Sequence, residues 1–262
     1  MSRFAASRRR FVHGMLWAAA AAVSPRAPAA QPAALLVMAG AGYKRPVEAL
    51  CAAFSRESGV PVERSYANLP QLFAQIRASG RVDVLIGDAA LIDAAPDLDL
   101  PQHIPLGHGR LVLAWRRKLL GRYSPEPITD PVRDLPHMQS IAMTQPQTIY
   151  GHAAEQWLRA NGLWSTLQDR LKMVQTLPQV SAYLTSGQID AGFLNLTEAL
   201  AVKGQLGGFV ELQPGAGSYT PIGVIAALPA AQAHPETAAA RAAFAQFLQS
   251  PAARGLLDAA GL

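Results

Sequence analysis

Acidic residues are missing from the first thirty positions, which carry five arginines: Arg3, Arg8, Arg9, Arg10 and Arg26. The whole sequence has 23 lysines and arginines and 18 acidic residues, so the remaining 232 residues carry 18 charges of each sign. The sequence pI of about 9.7 therefore reflects the N-terminal segment. We expect no nucleic-acid-binding surface on the neutral remainder.

Residues 1–30 have the pattern of a secretory signal, in which arginines precede the apolar run Phe11–Val23 and a small-residue site. The run is too short for a membrane span, which needs about 20 residues. The pair Arg8-Arg9 resembles the twin-arginine export motif, and an ordinary Sec signal is the alternative. We expect cleavage near Ala29 or Ala30 and residence in the periplasm.

Cysteine is nearly absent, because Cys51 is the single one in the sequence. No internal disulfide can form, and the stability of the exported chain must come from packing. Cys51 belongs to a helical stripe with Val47, Leu50 and Phe54, which predicts a small buried side chain rather than a reactive thiol. No second long apolar run follows the signal, and the remaining length suffices for two lobes.

Enzyme motifs are also lacking: the sequence has no Gly-x-Ser-x-Gly, no Walker loop and no His-Glu-x-x-His. His152 and Glu155 lie three residues apart and could share a metal, so an exported metal-dependent enzyme stays an alternative, without an evident third ligand. Asp83 and Asp88 flank a strand, and a capping role is expected for them. The remaining prominent histidines are interpreted as loop residues: His103, His108, His137 and His234.

Short apolar runs alternate with amphipathic helices along the chain, which predicts an α/β protein with largely parallel sheets. Four strand-to-helix junctions contain residues suited to an exposed helix start: Ala39–Tyr43, Tyr66–Pro70, Gln147–His152 and Thr176–Val180. Helix starts present free N–H groups at the carboxyl edge of such a sheet. Together the junctions predict a site for a small anion, to which the polar side chains of Tyr150 and Asn195 could also contribute.

At these junctions the chain resembles the periplasmic molybdate-binding proteins of ABC importers, a branch of the type II solute-binding superfamily. The resemblance covers nearly all of the sequence after the signal. It is carried by these segments: Leu35–Val60, Ser65–Asn68, Leu72–Ile76, Val82–Ile86, Arg110–Ala114, Gly187–Phe193 and Ser250–Ala253. The residues at Tyr150–His152 and Pro178–Val180 indicate a divergent branch of that family.

In that family, serine hydroxyls and backbone N–H groups hold a tetrahedral oxyanion. Carried over by position, the first serine falls on Gly42 and the second near Asn68 or Leu69. Backbone contacts fall on Tyr150 and near Leu177–Gln179, and a binding tyrosine falls on Asn195. The hydroxyl set has therefore changed, while the backbone donors could persist. The resemblance implies these ligand-binding residues: Ala41, Gly42, Tyr43, Asn68, Leu69, Tyr150, Gly151, Leu177, Gln179 and Asn195.

The resemblance implies two α/β lobes with a ligand cleft between them, at residues 33–108 plus 220–262 and at residues 109–219. It implies capture of a small oxyanion, molybdate or tungstate first, and delivery to the permease of an ABC importer. No cofactor, metal or catalysis is expected, and the protein should be a monomer that meets the membrane only through the permease. Alternatives are another inorganic or small organic anion, or a sensory or adhesion module that kept the fold.

Overall fold

The computed structural model describes residues 33–117, 128–230 and 232–262. The predicted signal segment lies outside these described residues, and so does part of Pro125–Pro136, a segment for which the sequence predicts turns. The strands are β1 (Leu35–Gly40), β2 (Val62–Ala67), β3 (Val84–Asp88), β4 (Gln102–Gly109), β5 (Leu111–Arg116), β6 (Ile141–Thr144), β7 (Leu171–Val174), β8 (Ala191–Asn195), β9 (Leu206–Glu211) and β10 (Ile222–Leu228). The helices are α1 (Lys44–Ser58), α2 (Leu69–Ser79), α3 (Ala89–Asp93), α4 (Pro131–Asp134), α5 (Ile149–Ala160), α6 (Trp164–Leu167), α7 (Leu177–Thr185), α8 (Leu196–Val202), α9 (Ala238–Leu248) and α10 (Pro251–Ala259).

The strands form two five-stranded sheets with flanking helices, so the predicted α/β, two-lobed fold is confirmed. The first sheet has the order β2-β1-β3-β10-β4 and the second has the order β7-β6-β8-β5-β9. The chain passes from the first sheet to the second at Arg110 and returns between Glu211 and Ile222. The exact residue bounds given for the lobes stay a prediction.

The expectation of largely parallel sheets was only partly right, because each sheet contains one reversed strand. Strand β10 pairs antiparallel with β3 and β4, and β5 pairs antiparallel with β8 and β9. The parallel pairs are confined to β1 with β2 and β3, and to β6 with β7 and β8. The first strand after each crossing, β5 or β10, therefore runs against the other four strands of its sheet.

Two predicted loop histidines, His103 and His108, lie instead in strand β4. In this strand Ile104 and Leu106 are buried while their neighbours face outward. That is the alternation of a half-buried strand. Pro105 and two glycines hid the pattern in the sequence. His234 does lie in a loop, with a φ of 50°, and His137 ends a 3₁₀ turn.

Local signals explain where the helices begin and end. The Asn68 side chain accepts a hydrogen bond from the Gln71 N–H at 3.0 Å, and Pro70 fixes the first turn of α2. Gly80 ends α2 with a φ of 64°, a left-handed conformation that favours glycine. Cys51 is fully buried in α1, as predicted, and burial raises the pKa of its thiol to about 12.

A buried ion pair ties the first sheet to α9. An oxygen of Asp83 lies 3.3 Å from a guanidinium nitrogen of Arg241 and also accepts from the Thr237 hydroxyl. Its other oxygen accepts from the Leu36 N–H at 2.8 Å. Asp83 is thus a core residue that fixes β1 against α9, rather than the turn cap that was expected.

Candidate functional site

A cleft lies where the strand ends of the two sheets meet. Its walls come from the first turns of helices on both sides and from the 3₁₀ turn Ala41–Tyr43 that follows β1. The lining residues are Gly40, Ala41, Gly42, Tyr43, Asn68, Leu69, Pro70, Asp88, Leu91, Thr144, Thr148, Ile149, Tyr150, Gln175, Thr176 and Leu177.

On the side of the first sheet, two capping residues set the geometry. Asn68 and Asp88 are the N-caps of α2 and α3. Each side chain accepts a hydrogen bond from the backbone N–H of the third residue of its helix. Such caps satisfy a later N–H of the first turn and leave the first one without an intrahelical partner. In α2 that first N–H belongs to Leu69, which lines the cleft.

On the side of the second sheet, the caps are likewise satisfied inside the protein. The Thr148 hydroxyl accepts from the Gly151 N–H at 3.2 Å and donates to the Gln145 carbonyl at 2.8 Å. Helix α5 therefore begins with the N–H groups of Ile149 and Tyr150, which have no intrahelical partner. Both of these residues line the cleft.

Helix α7 begins with a capping box. The Gln179 side-chain oxygen accepts from the N–H groups of Gln175 at 2.8 Å and Thr176 at 3.0 Å. The following residue, Leu177, starts the helix, and Pro178 has no N–H to satisfy. Leu177 is therefore the first-turn donor that α7 presents to the cleft.

The structure brings together seven of the ten residues predicted for the site: Ala41, Gly42, Tyr43, Asn68, Leu69, Tyr150 and Leu177. The other three lie outside the lining. The Gly151 N–H donates a hydrogen bond to the Thr148 hydroxyl, and the Gln179 side chain accepts hydrogen bonds in the capping box of α7. Asn195 is buried and bonded within the protein. Whether any of the ten touches a ligand stays a prediction.

Two buried tyrosines line the cleft. The hydroxyls of Tyr43 and Tyr150 lie 2.9 Å apart in a buried hydrogen bond. Burial is the main cause that raises the pKa of Tyr43 and of Tyr150 above the usual value for a phenol. Both hydroxyls are therefore neutral over the physiological range, and one proton of the pair remains to be donated elsewhere.

Asn195 acts on the site through Gly42. Its amide nitrogen donates to the Gly42 carbonyl at 3.0 Å, and its amide oxygen accepts from the Glu198 N–H at 2.9 Å. A Cβ atom at position 42 would lie 2.6 Å from a methyl carbon of Leu177 and 3.2 Å from the Asn195 amide nitrogen. A larger residue at position 42 would therefore force the Leu177 side chain to move.

Asp88 lines the cleft, although sequence reasoning did not predict it as a site residue. Its predicted capping role is confirmed, since a carboxylate oxygen accepts from the Leu91 N–H at 2.9 Å. It is also 5% exposed, and burial is the main cause that raises the pKa of its carboxyl. Its position at the end of a strand was visible in the sequence, but its place opposite Thr148 was not.

A second cavity adjoins the cleft and shares Asp88, Leu91, Thr148 and Ile149 with it. His152 lines this cavity. Glu155, its suggested metal partner, instead pairs with Arg159 at 2.7 Å. Within residues 33–117, 128–230 and 232–262, no three His, Cys, Asp or Glu side chains converge to hold a metal ion.

Sequence comparison assigns the chain to a family. The bacterial extracellular solute-binding proteins match residues 35–262. The chain belongs to this family. No protein with a curated description matches the chain significantly. None of the helices in the described part of the chain combines the length and hydropathy of a membrane span.

Solved structures share the fold at low sequence identity. The periplasmic molybdate-binding protein of Azotobacter vinelandii is 24% identical with a TM-score of 0.72, over 87% of this chain and 97% of that chain. The sulfate-binding protein SubI of Mycobacterium tuberculosis is 19% identical with a TM-score of 0.64, over 87% and 85%. PEB3 with bound L-phospholactate, a Campylobacter jejuni protein, is 12% identical with a TM-score of 0.66, over 87% and 98%. This solute-binding protein therefore has the two-lobed fold that these structures share.

Proposed function

We propose that this solute-binding protein captures a small oxyanion in the cleft and delivers it to the permease of an ABC importer. The observation that carries this proposal is the convergence of first-turn residues from α2, α5 and α7 with the turn Ala41–Tyr43 on one cleft. Backbone N–H groups at helix starts hold anions without a basic side chain. Consistent with this, no lysine or arginine is among the described residues that line the cleft.

Molybdate and tungstate are the first ligands to test, because the fold is shared with a periplasmic molybdate-binding protein. The protein would act outside the cytoplasm as a monomer, after export through its N-terminal signal. It would meet the membrane only through the permease and carry out no catalysis. Closure of the two lobes, placed at residues 33–108 plus 220–262 and at 109–219, would report the bound state to the permease.

Another anion, inorganic or small and organic, is the second candidate. Two observations favour it: the acidic side chain of Asp88 in the lining, and the second cavity that adjoins the cleft. A sulfate-binding protein and PEB3 with bound L-phospholactate share the fold, which supports a range of anions for it.

Calorimetric titration of the purified protein with molybdate, tungstate, sulfate and phosphate tests the proposal. The bound anion should also stabilise the fold by about 2.7 kcal/mol at a concentration 100 times its dissociation constant. Zinc titration serves as the control for the metal alternative. Absence of binding heat and of any melting shift with all four anions would reject the oxyanion function.

A further inference from the structure

The cleft and the cavity that adjoins it differ in size. The cleft offers about 60 Å³ of free space, whereas the adjoining cavity offers about 390 Å³. Sites for small organic molecules usually measure about 300–1,000 Å³, so the adjoining cavity falls in that range and the cleft does not. The two share part of their walls, since Leu91, Thr148 and Ile149 line both. A solute whose charged head lies in the cleft therefore has room to extend into the adjoining cavity.

Most of the wall of the adjoining cavity is apolar. Ala90 and Leu91 come from α3, Ala153 comes from α5, and Pro221 and Ile222 come from the segment that returns to the first sheet. Such a wall favours a carbon chain, because each methylene that leaves water raises the affinity by about fourfold. An inorganic anion in the cleft has no carbon chain and would leave this wall to water.

Two neutral polar side chains lie in the same wall and are bonded to each other. The amide nitrogen of Gln156 donates to the Thr220 hydroxyl at 3.2 Å, and the Thr220 N–H donates to the Gln156 amide oxygen at 3.0 Å. The Thr220 hydroxyl keeps its own proton and the Gln156 amide keeps a second N–H, so this pair is able to bind a hydroxyl group of a solute. Lysine and arginine do not occur among the described residues that line the adjoining cavity. The wall therefore offers no such cation to a second anionic group.

We propose that the solute is a small organic oxyanion, with its oxyanion head at the helix starts of the cleft and a short, uncharged, hydroxyl-bearing body in the adjoining cavity. This inference rests on the proposed oxyanion function. The apolar wall contacts the carbon chain, and Gln156 and Thr220 bind its hydroxyls. A phosphate or sulfate ester of glycerol has this chemistry, whereas inorganic phosphate, sulfate, molybdate and tungstate lack the body.

Calorimetric titration of the purified protein with phosphate, sulfate and the glycerol and ethyl esters of each tests the inference. The ethyl ester reports on the apolar wall alone, and the glycerol ester adds the hydroxyls. We expect the glycerol ester of the better-bound anion to bind at least about 10-fold more tightly than that anion, because buried methylenes and a hydrogen bond both contribute. The ethyl ester should fall between the two.

Ala90→Phe should block the adjoining cavity. Ala90 is exposed, and it lines this cavity but not the cleft. The variant should lose most of the preference for the glycerol ester and keep the affinity for the inorganic anion within about twofold. Ala94→Phe is the matched control, because Ala94 is exposed at the C-cap of the same helix and lies outside both linings. This control should keep the wild-type preference.

Thr220→Val tests the hydrogen-bonding part of the wall, because valine has nearly the shape of threonine and lacks the hydroxyl. It should weaken binding of the glycerol ester by about 2- to 10-fold and leave binding of the ethyl ester unchanged. Equal losses for the two esters would contradict the role of the Thr220 hydroxyl in binding the body.

Glycerol esters that bind no more tightly than their anions, or molybdate or tungstate that binds while neither ester does, would overturn the inference and leave the oxyanion function standing. An undiminished preference for the ester in a folded Ala90→Phe protein would also reject it, since the body would then lie elsewhere. Failure of every anion and ester to bind wild type would overturn both proposals. If Ala90→Phe does not fold, the wild-type comparison of each ester with its anion decides alone.

Discussion

The hydroxyl oxygens of Tyr43 and Tyr150 lie 2.9 Å apart and join the turn after β1 to the first turn of α5. Tyr43 follows a strand of the first sheet, and Tyr150 follows a strand of the second. This buried bond therefore couples the two sides of the cleft. It also explains why the rings remain close, with centroids 6.2 Å apart, although they share no stacking geometry.

Tyr43→Phe and Tyr150→Phe should each lower the free energy of unfolding by about 1–3 kcal/mol, because each leaves one buried hydroxyl without its partner. The double variant should cost less than the sum of the two single variants, since both hydroxyls are then gone. Urea unfolding of all four proteins measures the coupling. Strict additivity would show that the two hydroxyls do not interact.

Gly42→Val should weaken anion binding by about 5- to 150-fold. This range corresponds to a free-energy cost of about 1–3 kcal/mol, which is typical of overpacking. The new side chain would press on Leu177, whose methyl lies 2.6 Å from the position of a Cβ. Calorimetry measures the affinity, and circular dichroism checks the fold.

Gly204→Val is the matched control for Gly42→Val, since a Cβ at position 204 meets no atom within 4 Å. Adding Leu177→Ala to Gly42→Val should recover part of the affinity, because it removes the obstructing methyl. Wild-type affinity in a folded Gly42→Val protein would show that position 42 does not need to approach α7.

Asn195→Ala should lower the free energy of unfolding by about 1–3 kcal/mol, since it removes the cap of α8 and the donor to the Gly42 carbonyl. Asn195→Asp keeps the cap but loses that donor. It should also be destabilised, because a carboxylate would be buried against the Gly42 carbonyl, and it should bind anions more weakly than wild type. Thermal and calorimetric measurements on both variants separate the two effects; equal affinity of Asn195→Asp and wild type would detach this residue from the site.

Asp83→Ala should destabilise the protein by about 3–5 kcal/mol, because it leaves the buried guanidinium of Arg241 without its carboxylate. Asp97→Ala provides the comparison. Asp97 pairs with Arg77 at 2.7 Å, but both side chains are about half exposed, so its loss should destabilise the protein far less than the loss of Asp83. Similar losses in the two variants, measured by urea unfolding, would contradict the assignment of Asp83 to the core.

Stability should depend on pH through Asp88. Burial raises the pKa of this carboxyl in the folded protein above its ordinary value of 3.8. Its ionisation therefore disfavours folding at neutral pH, and this penalty disappears as the pH falls through the raised pKa and below 3.8. Asp88→Asn should be more stable than wild type at neutral pH, with a difference that shrinks on acidification. A difference that grows on acidification would show that the carboxylate is stabilised in the fold.

Much of the fold follows from local sequence signals. Helix α2 runs from Leu69 to Ser79, and the sequence marks both of its ends locally with the cap Asn68 and with Gly80. The direction of strand pairing was not visible in the same way. Strands β5 and β10 read as ordinary buried strands, and their antiparallel neighbours come from distant parts of the chain.

The candidate site likewise contains features that follow from local sequence and contacts that depend on the tertiary fold. Helix starts at Leu69, Tyr150 and Leu177 could be predicted, since caps and strand ends are local features. The bond from Asn195 to Gly42 spans 153 positions, and nothing near either residue indicates it. Asp88 was predicted as a cap, and its position in the cleft depends on how the two sheets face each other.

We propose that backbone N–H groups at the helix starts hold an oxyanion in the cleft. Amide chemical shifts of the ¹⁵N-labelled protein, recorded while phosphate and then molybdate are added, locate the amides that bind the anion. We expect the largest shifts on Gly42, Leu69, Tyr150 and Leu177, with small shifts at the control residues Gly204 and Gly255. Saturable binding with the largest shifts away from these four amides would contradict it.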